Sequence, residues 1–412
     1  MVLFSACSPV KTPATRATPA ATLRSPAFSV ATGTPIHSPE LPTQTSEPSV
    51  EPTVRLVLSS SAEPSAAPQT ESNTATVTQS AIQATTQNQV MATIAPAASV
   101  ASSGHAYFPP VVMANYLPWY DTSSWAKGCT SDSPSAGPYL SDDGGTIARH
   151  IAEGQRAGLD GFNVHWISPG DRTDTILRAI LAQGGSFKAA ATFLNHSFTG
   201  AARGTIAANL SYIINTYGGY GNYLNFSGRP VIFFAGMPRV DQSGGLSPEA
   251  AWAEIRAAAD PNRNSIWIAE GLEPSYLDVF DGLYVYKIDH NCCPYAYQSA
   301  ERWEGWVRQA EQNSGLEKYW AATIQAGWND VLSTSANCVD NRVGVETFSR
   351  DREGGAYYER TFNSAMATRA DILIVNSFNE WVEGSHIEPS LAFGDLYLDL
   401  TAQFAAIYRA NR

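Results

Sequence analysis

Two glutamates, Glu380 and Glu383, are the side chains in this sequence whose type and spacing best suit acid–base chemistry. They lie three residues apart, with Trp381 between them, just past a predicted strand at Asp371–Phe378. Hydrolysis of a glycosidic bond typically uses two carboxyl groups, one protonated to assist the leaving oxygen and one ionised. Two neighbouring acids in different surroundings have separated pKa values, which permits this division of labour. A Glu-x-x-Glu spacing also occurs in solvated loops, so the position directly after a strand is the informative feature.

The segments that must position this pair alternate between short apolar runs and helical patterns. The apolar runs are rich in β-branched and aromatic residues, which is typical of strands buried on both faces of a parallel sheet. Strands are predicted at Val111–Tyr116, Gly161–Trp166, Phe187–Leu194, Pro230–Ala235, Ser265–Ala269, Gly282–Lys287, Tyr319–Gln325 and Asp371–Phe378. Helices are predicted at Thr146–Ala157, Asp174–Gln183, Thr205–Thr216, Ser247–Ala259, Ala300–Asn313, Gly355–Ala367 and Asp395–Arg409.

Eight strands that alternate with helices predict an α/β fold of the (β/α)8 TIM-barrel type. A doubly wound open sheet is the alternative, but no Gly-x-Gly-x-x-Gly follows the first strand. In a barrel, function lies where the strands end at their C-terminal edges. We predict one catalytic domain over residues 105–412, preceded by a disordered linker over residues 1–104.

The predicted strand ends carry many tryptophan, tyrosine, asparagine, histidine and glutamate side chains. Sugars present flat C–H faces to aromatic rings and hydroxyls to amides and carboxylates, so this mixture suits a carbohydrate cleft. A single tryptophan is more often a core residue than a binding platform, and the clustering at one edge is what favours binding. The predicted substrate-binding residues are Tyr116, Trp119, Tyr120, His165, Trp166, Asn195, His196, Glu270, Gln325, Trp328, Asn379 and Trp381.

Composition divides the chain into two unlike parts. Residues 1–104 hold 12 of the 25 prolines and only two aromatic residues, so they lack the bulky apolar groups that a core requires. The remaining residues carry 22 basic and 33 acidic side chains. Such a surface repels phosphates and argues against a nucleic-acid partner, whereas a neutral sugar remains compatible. No run of 18 apolar residues exists that could span a membrane as a helix.

The N-terminal segment resembles the end of a bacterial lipoprotein signal. Small residues precede Cys7, the position at which such a protein is lipidated, although Phe4 stands where leucine is usual. A cysteine in a disordered tail is the alternative. The Ser/Thr/Pro/Ala-rich tract after it is typical of a spacer between an envelope anchor and a catalytic unit. We therefore expect an extracellular or envelope-anchored bacterial protein that acts as a monomer, with an intracellular tail as the other interpretation.

Four cysteines remain in the predicted domain, and their spacing does not indicate a zinc site. Adjacent Cys292 and Cys293 do not readily bond to each other, so export predicts a disulfide from one of them to Cys129 or Cys338. Buried thiols without any disulfide are the alternative.

Residues 377–389 read S-F-N-E-W-V-E-G-S-H-I-E-P and resemble the S-F-N-E-W-x-E-G-[ST]-x-I-E segment of glycoside hydrolase family 99. Residues 116–120, Y-L-P-W-Y, are similar to the first-strand Y-Y-P-W-Y of that family, with Leu117 in place of an aromatic residue. Tyr357-Tyr358 and the strand that begins at Arg229 also fit. The resemblance covers about residues 110–408 and implies a (β/α)8 barrel with endo-α-1,2-mannosidase or endomannanase activity.

The resemblance also implies roles for the two glutamates. Glu383 would be the general acid, and Glu380 would be the general base on the sugar's own 2-hydroxyl, giving a 1,2-anhydro intermediate and retained configuration. The expected enzyme is an endo-acting hydrolase of α-mannan-like glycans that needs no cofactor and no metal. The alternatives are a hydrolase of another α-glycan such as an α-1,3-glucan, a carbohydrate-binding barrel without turnover, and a metal-dependent hydrolase whose activity a chelator abolishes.

The composition of residues 1–104 predicts that they contribute nothing to catalysis or to folding. A protein that begins near His105 should keep full activity on a soluble substrate and the same melting temperature. Thermal unfolding of both proteins measures this, and a loss of several degrees would contradict the prediction.

Overall fold

The computed structural model describes residues 109–338 and 346–412. Cys7 and the predicted linker lie outside the described residues. Eight parallel strands are each hydrogen-bonded to two neighbours, and β8 pairs with both β7 and β1, which closes the barrel. The strands are β1 Val111–Tyr116, β2 Gly161–Trp166, β3 Lys188–Phe193, β4 Arg229–Phe234, β5 Ile266–Glu270, β6 Gly282–Tyr284, β7 Tyr319–Gln325 and β8 Ile372–Asn376. The predicted TIM barrel is confirmed.

Helices follow the strands and pack around the barrel. They are α1 Gly144–Arg156, α2 Arg172–Gln183, α3 Asn195–Thr199, α4 Arg203–Tyr217, α5 Pro248–Ala259, α6 Ala300–Ser314, α7 Ala356–Met366 and α8 Leu396–Ala410. Short 3-10 segments lie at Ser124–Ala126, Met237–Arg239, Pro274–Asp278, Ala296–Ser299, Val331–Thr334 and Glu353–Gly355. Two-residue strands lie at Asn225–Phe226, Trp328–Asn329 and Ser349–Arg350. Among the described residues, no helix is long and apolar enough to cross a membrane.

The helix starts follow ordinary capping chemistry. The carboxylates of Asp143 and Asp171 accept hydrogen bonds from backbone N–H groups in the first turns of α1 and α2. Ser247 does the same for α5, where Pro248 occupies the first helical position. These caps orient α1 and α2 against the barrel wall that carries β1 and β2.

The main difference from the predicted elements is at β6. This strand ends at Tyr284, whereas the apolar pattern predicts that it continues to Lys287. The backbone carbonyl of Tyr286 instead accepts a hydrogen bond from the side-chain amide of Asn376 at 2.8 Å. The chain therefore leaves the ladder at the mouth of the barrel and presents Tyr286 to the end of β8.

The disulfide pairing expected from the sequence is wrong. Cys129, after β1, is bonded to Cys338, after β7, and both are buried. The Sγ atoms of Cys292 and Cys293 lie 3.1 Å from each other, and neither is joined to Cys129 or Cys338. Spacing along the chain does not reveal which of three loops meet at the barrel mouth, and the loop after β6 follows a different path.

We predict that the Cys129–Cys338 bond forms under oxidising conditions and stabilises the domain. It links residues 209 positions apart, so it restricts the unfolded chain strongly, and its removal should cost about 2–4 kcal/mol. Non-reducing peptide mapping should find this pair, and the Cys129→Ser, Cys338→Ser double variant should unfold at lower denaturant concentration. A mapped bond from either cysteine to Cys292 or Cys293 would contradict it.

Candidate active site

The segment after β8 forms a closed turn that carries both glutamates. The peptide between Asn376 and Ser377 is cis, and the Ser377 N–H donates to the carbonyl of Ser385 at 3.1 Å. The Glu380 N–H donates to Ser377 Oγ at 2.8 Å, while the Glu380 carbonyl accepts from Ser385 N–H. These bonds fix the turn from within, so Glu380 and Glu383 have a defined separation and direction.

Both carboxylates lie at the mouth of the barrel and are only 4% exposed. Glu380 Oε1 accepts hydrogen bonds from Tyr120 OH at 3.4 Å and from the Val382 N–H at 3.0 Å. Glu383 Oε2 accepts from Tyr286 OH at 3.3 Å. Each glutamate therefore has its own tyrosine donor, one from the segment after β1 and one from the segment after β6.

The two tyrosine hydroxyls stay protonated. Burial raises the pKa of Tyr120 well above its ordinary value, and the charge of Glu380 raises it further. Burial and the charge of Glu383 act in the same way on the pKa of Tyr286. Both hydroxyls are thus fixed donors to the carboxylates.

Tyr286 is a site residue that the sequence analysis missed. A ladder of asparagine amides leads to it, from Asn163 to Asn115 at 3.5 Å and from Asn115 to Asn376 at 3.1 Å. Asn376 then holds the Tyr286 carbonyl. The sequence does show a tyrosine near the end of the predicted strand Gly282–Lys287, but that pattern predicts a strand residue rather than a donor at the site.

The floor beneath the glutamates is lined by polar side chains from the C-terminal halves of the strands. Six of these side chains have at least one polar atom without a hydrogen-bond partner among residues 109–338 and 346–412. They are Asn163, His165, Thr192, Tyr284, Thr323 and Gln325. Because buried polar groups are costly when unsatisfied, this floor suits water or the hydroxyls of a bound ligand.

One wall of the site is aromatic. The ring of His165 lies 5.3 Å from that of Trp119 and 5.9 Å from that of Tyr286. Burial lowers the pKa of His165 to about 3, so its imidazole is neutral near neutral pH. Trp119 is partly exposed and offers a ring face at the mouth. This wall combines an apolar face with neutral hydrogen-bonding atoms, as sugar recognition requires.

Glu270 is a third buried carboxyl group, at the end of β5. Burial raises its pKa to about 7, with a smaller opposing effect from the Tyr286 backbone N–H. A substantial fraction of this group is therefore protonated near neutral pH, where it can donate a hydrogen bond as well as accept one.

Several predicted binding residues face away from the mouth. Tyr116 packs beneath α1 with its hydroxyl 3.0 Å from His150 Nδ1, and Trp166 packs beneath α2 with its indole N–H on Asp174. Trp381 is fully buried and stacks on His386 at 3.9 Å. These residues support the strand ends from outside the barrel.

The other predicted residues hold loops or line the barrel. Asn379 pairs with the Leu117 backbone, and His196 Nε2 lies 3.1 Å from the Gly236 carbonyl. Gln325 is a floor residue, and buried Trp328 stacks on Phe348 beyond β7. The side chain of Asn195, at the start of α3, is outside the described part of the structure.

Leu117 does not line the cleft either. It is fully buried and packs with Tyr120, Tyr139 and Trp381 in a small apolar cluster. The replacement of an aromatic residue at this position therefore changes packing behind the site rather than the surface that a ligand contacts.

A metal-like arrangement of His150, Glu153 and Glu388 lies behind the β8 turn, with ligand atoms within 4.8 Å of one another. The Arg149 guanidinium reaches into it, 3.0 Å from His150 Nε2 and 3.6 Å from Glu388 Oε1. A cation already occupies the position next to these side chains, which identifies the group as an ion-pair network.

The sequence profile of glycosyl hydrolase family 99 matches residues 115–408, which include the barrel and both glutamates. The chain belongs to glycosyl hydrolase family 99. The family resemblance of the β8 segment is thereby confirmed, as is the assignment to a family of glycoside hydrolases.

The chain is similar to glycoprotein endo-alpha-1,2-mannosidase-like proteins of mouse (Mus musculus) and human (Homo sapiens). Identity is 28% and 27% over 299 residues, covering 67% of this chain in both cases. The chain spans 62% and 61% of the length of these relatives. The solved structure of a GH99 endo-alpha-mannosidase from Bacteroides thetaiotaomicron shares the fold, with a TM-score of 0.60 and 23% identity. That alignment covers 73% of this chain and 98% of the other.

The buried Glu270 predicts a pH dependence of stability. Burial raises its pKa from the ordinary value of about 4.5 to about 7 in the folded protein, which therefore binds this proton more tightly. The free energy of unfolding should therefore fall as pH rises from about 4.5 to about 7. Glu270→Gln removes this loss. Its free energy of unfolding relative to that of wild type should therefore rise by about 2–3 kcal/mol between pH 4.5 and pH 8.

Urea unfolding at several pH values measures the difference between the two proteins. His165 has the opposite effect, because its contribution to stability is lost as pH falls from 6.5 towards about 3. This contribution is the same in both proteins and cancels in the comparison. Glu301→Gln, at an exposed position of α6, is the control and should track wild type. Parallel curves for Glu270→Gln and wild type would show that Glu270 is ionised throughout.

Proposed function

We propose that this protein is an endo-acting α-mannosidase that hydrolyses internal linkages of an α-mannan-like glycan. The observation that carries the proposal is the pair Glu380 and Glu383 on one closed turn, each with a separate tyrosine donor. The polar floor and the Trp119–His165 wall supply the neutral contacts that a sugar needs. The family membership and the names of the mouse and human relatives support mannose as the sugar.

In the proposed mechanism Glu380 is the general base. It takes the proton of the sugar 2-hydroxyl, and O2 then attacks the anomeric carbon to form a 1,2-anhydro sugar. The bond from the anomeric carbon to the leaving oxygen breaks, and Glu383 protonates that oxygen. In the second step Glu383 takes a proton from water, the water oxygen attacks the anomeric carbon, and the bond from that carbon to O2 breaks, while O2 recovers its proton from Glu380.

The geometry suits this assignment because neither glutamate needs to reach the anomeric carbon. The usual retaining scheme places a nucleophilic carboxylate about 5 Å from the acid, across the scissile bond. Here both carboxyl groups come from one closed turn. A neighbouring hydroxyl of the substrate then supplies the nucleophile, and two successive inversions retain configuration.

The proposal extends to the setting of the enzyme. We place it outside the cell or, with Cys7 as its lipid anchor, on a bacterial envelope, and as a monomer that needs no cofactor. The acidic composition is compatible with an uncharged polysaccharide substrate.

Glu380→Gln and Glu383→Gln should each lower kcat on an α-mannan oligosaccharide by about 100-fold or more, because each removes an acid–base group. A substrate with a good leaving group, such as a glycosyl fluoride, should restore much of the turnover of Glu383→Gln. It should restore the turnover of Glu380→Gln much less. Only Glu383 supplies the proton of the departing oxygen. Product anomers followed by NMR in the first turnover should show retained configuration.

Glu301→Gln is the matched control and should keep wild-type kcat. An inverted first product, or wild-type turnover by Glu380→Gln, would refute the mechanism. A panel of α-mannans and α-glucans with product sizing tests the substrate, and activity confined to α-1,3-glucan would refute mannan as the substrate.

A further inference from the structure

A buried carboxylate, Glu388, lies behind the turn that carries Glu380 and Glu383. It is 3% exposed, and its Oε2 accepts hydrogen bonds from Tyr139 OH at 2.9 Å and from Trp381 Nε1 at 3.1 Å. Its Oε1 lies 3.0 Å from His150 Nε2. The charge and hydrogen-bonding capacity of Glu388 are thus used entirely inside the protein.

The surroundings of Glu388 keep it ionised. Burial alone would raise its pKa, but the charge of His150 and hydrogen bonds from His150 and Tyr139 outweigh that effect and lower it. Other charged or titratable groups also face the carboxylate. They are Arg149 and Glu153 on α1, and His386 on the β8 turn.

Two short paths connect this carboxylate to the catalytic turn. Trp381 follows Glu380 directly, and its backbone N–H donates to Tyr120 OH at 2.9 Å, the same hydroxyl that contacts Glu380. Asn379 precedes Glu380, and its amide donates to Tyr139 OH at 3.4 Å. Trp381 is therefore bonded to Glu388 directly through its side chain, and Asn379 is connected to Glu388 through the hydroxyl of Tyr139.

The turn also closes on Glu388 itself. The Glu388 N–H donates to the carbonyl of Phe378 at 2.8 Å, so the residue ends the same closed loop that Ser377 begins. A displacement of Glu388 would move the backbone on both sides of the two catalytic glutamates.

We propose that Glu388 is a positioning residue for catalysis: by holding Tyr139 and Trp381, it fixes the orientation of Glu380 and Glu383. It lies behind Trp381 and does not line the mouth, so its effect passes through other residues. The proposal rests on the function proposed above for the two glutamates.

The protein contains a matched network that serves as the control. Asp174 on α2 is also buried, and it accepts the indole N–H of Trp166 at 2.9 Å and the hydroxyls of Tyr212 and Tyr217. Arg178 supplies its positive partner. Both carboxylates thus bind an indole, tyrosine and a cation, but none of the described hydrogen bonds of Asp174 involves the β8 turn.

The experiment compares Glu388→Gln with Asp174→Asn in the full chain. Both changes remove a buried charge and should lower the melting temperature. Only Glu388→Gln should lower kcat, by about 10-fold or more, with KM within about twofold of wild type, because the groups that orient the acid and base are lost while the binding floor is intact. Tyr139→Phe should lower kcat by a smaller factor in the Glu388→Gln protein than in wild type, since both changes break one network.

Wild-type kcat for Glu388→Gln, or an equal loss of kcat for Asp174→Asn, would overturn the proposal. If Glu388→Gln does not fold, Tyr139→Phe decides the question, because it removes only one oxygen: reduced kcat with unchanged KM supports positioning, and wild-type kcat refutes it. The proposed function fails separately, through turnover by Glu380→Gln. An inactive Glu380→Gln beside a fully active Glu388→Gln would refute the positioning role alone.

Discussion

The pairing of the first strand with the last is the interaction on which the rest of the structure depends. β1 and β8 run in parallel register from Val111 opposite Ile372, and this pairing closes the barrel. Beyond the strand ends, the Asn379 amide continues the contact through two hydrogen bonds to the Leu117 backbone, at 2.7 and 3.0 Å. These bonds bring together segments 262 residues apart and set Tyr120 against Glu380. Without that closure, Glu380 would lose its contact with Tyr120.

Buried carboxyl groups around the mouth are accommodated in three physically different ways. Glu380 receives donors from Tyr120 and from backbone N–H groups of its own turn, which suits an anion. At Glu270, burial outweighs the backbone hydrogen bond from Tyr286 and raises the pKa to about 7, so this group is partly protonated near neutral pH. Glu388 has a lowered pKa and stays ionised beside His150 and the Arg149 guanidinium. Because these environments differ, carboxyl groups within one small region can hold different protonation states at the same pH.

The polar floor of the barrel shows how the site departs from an ordinary core. Most of the strand residues are apolar and fully buried, yet His165, Thr323 and Gln325 bring polar atoms inside without partners among the described residues. Such groups cost stability unless water or a ligand satisfies them. The arrangement favours a bound polyhydroxylated ligand, whose hydroxyls replace water contacts. Stability and binding are therefore opposed at the same residues.

Local sequence patterns predict the barrel, most element bounds to within about two residues, and the position of Glu380 and Glu383 just after β8. These depend on local patterns: apolar runs for β1, β2 and β7, and the motif around Glu380. Which side chains meet as partners depends instead on the three-dimensional fold. The donor Tyr286, the Cys129–Cys338 bond and the outward positions of Tyr116 and Trp166 all depend on contacts between distant segments. Periodicity shows that a side chain is buried near a strand end, but not whether it faces the barrel interior or a helix, because both environments are apolar and closed.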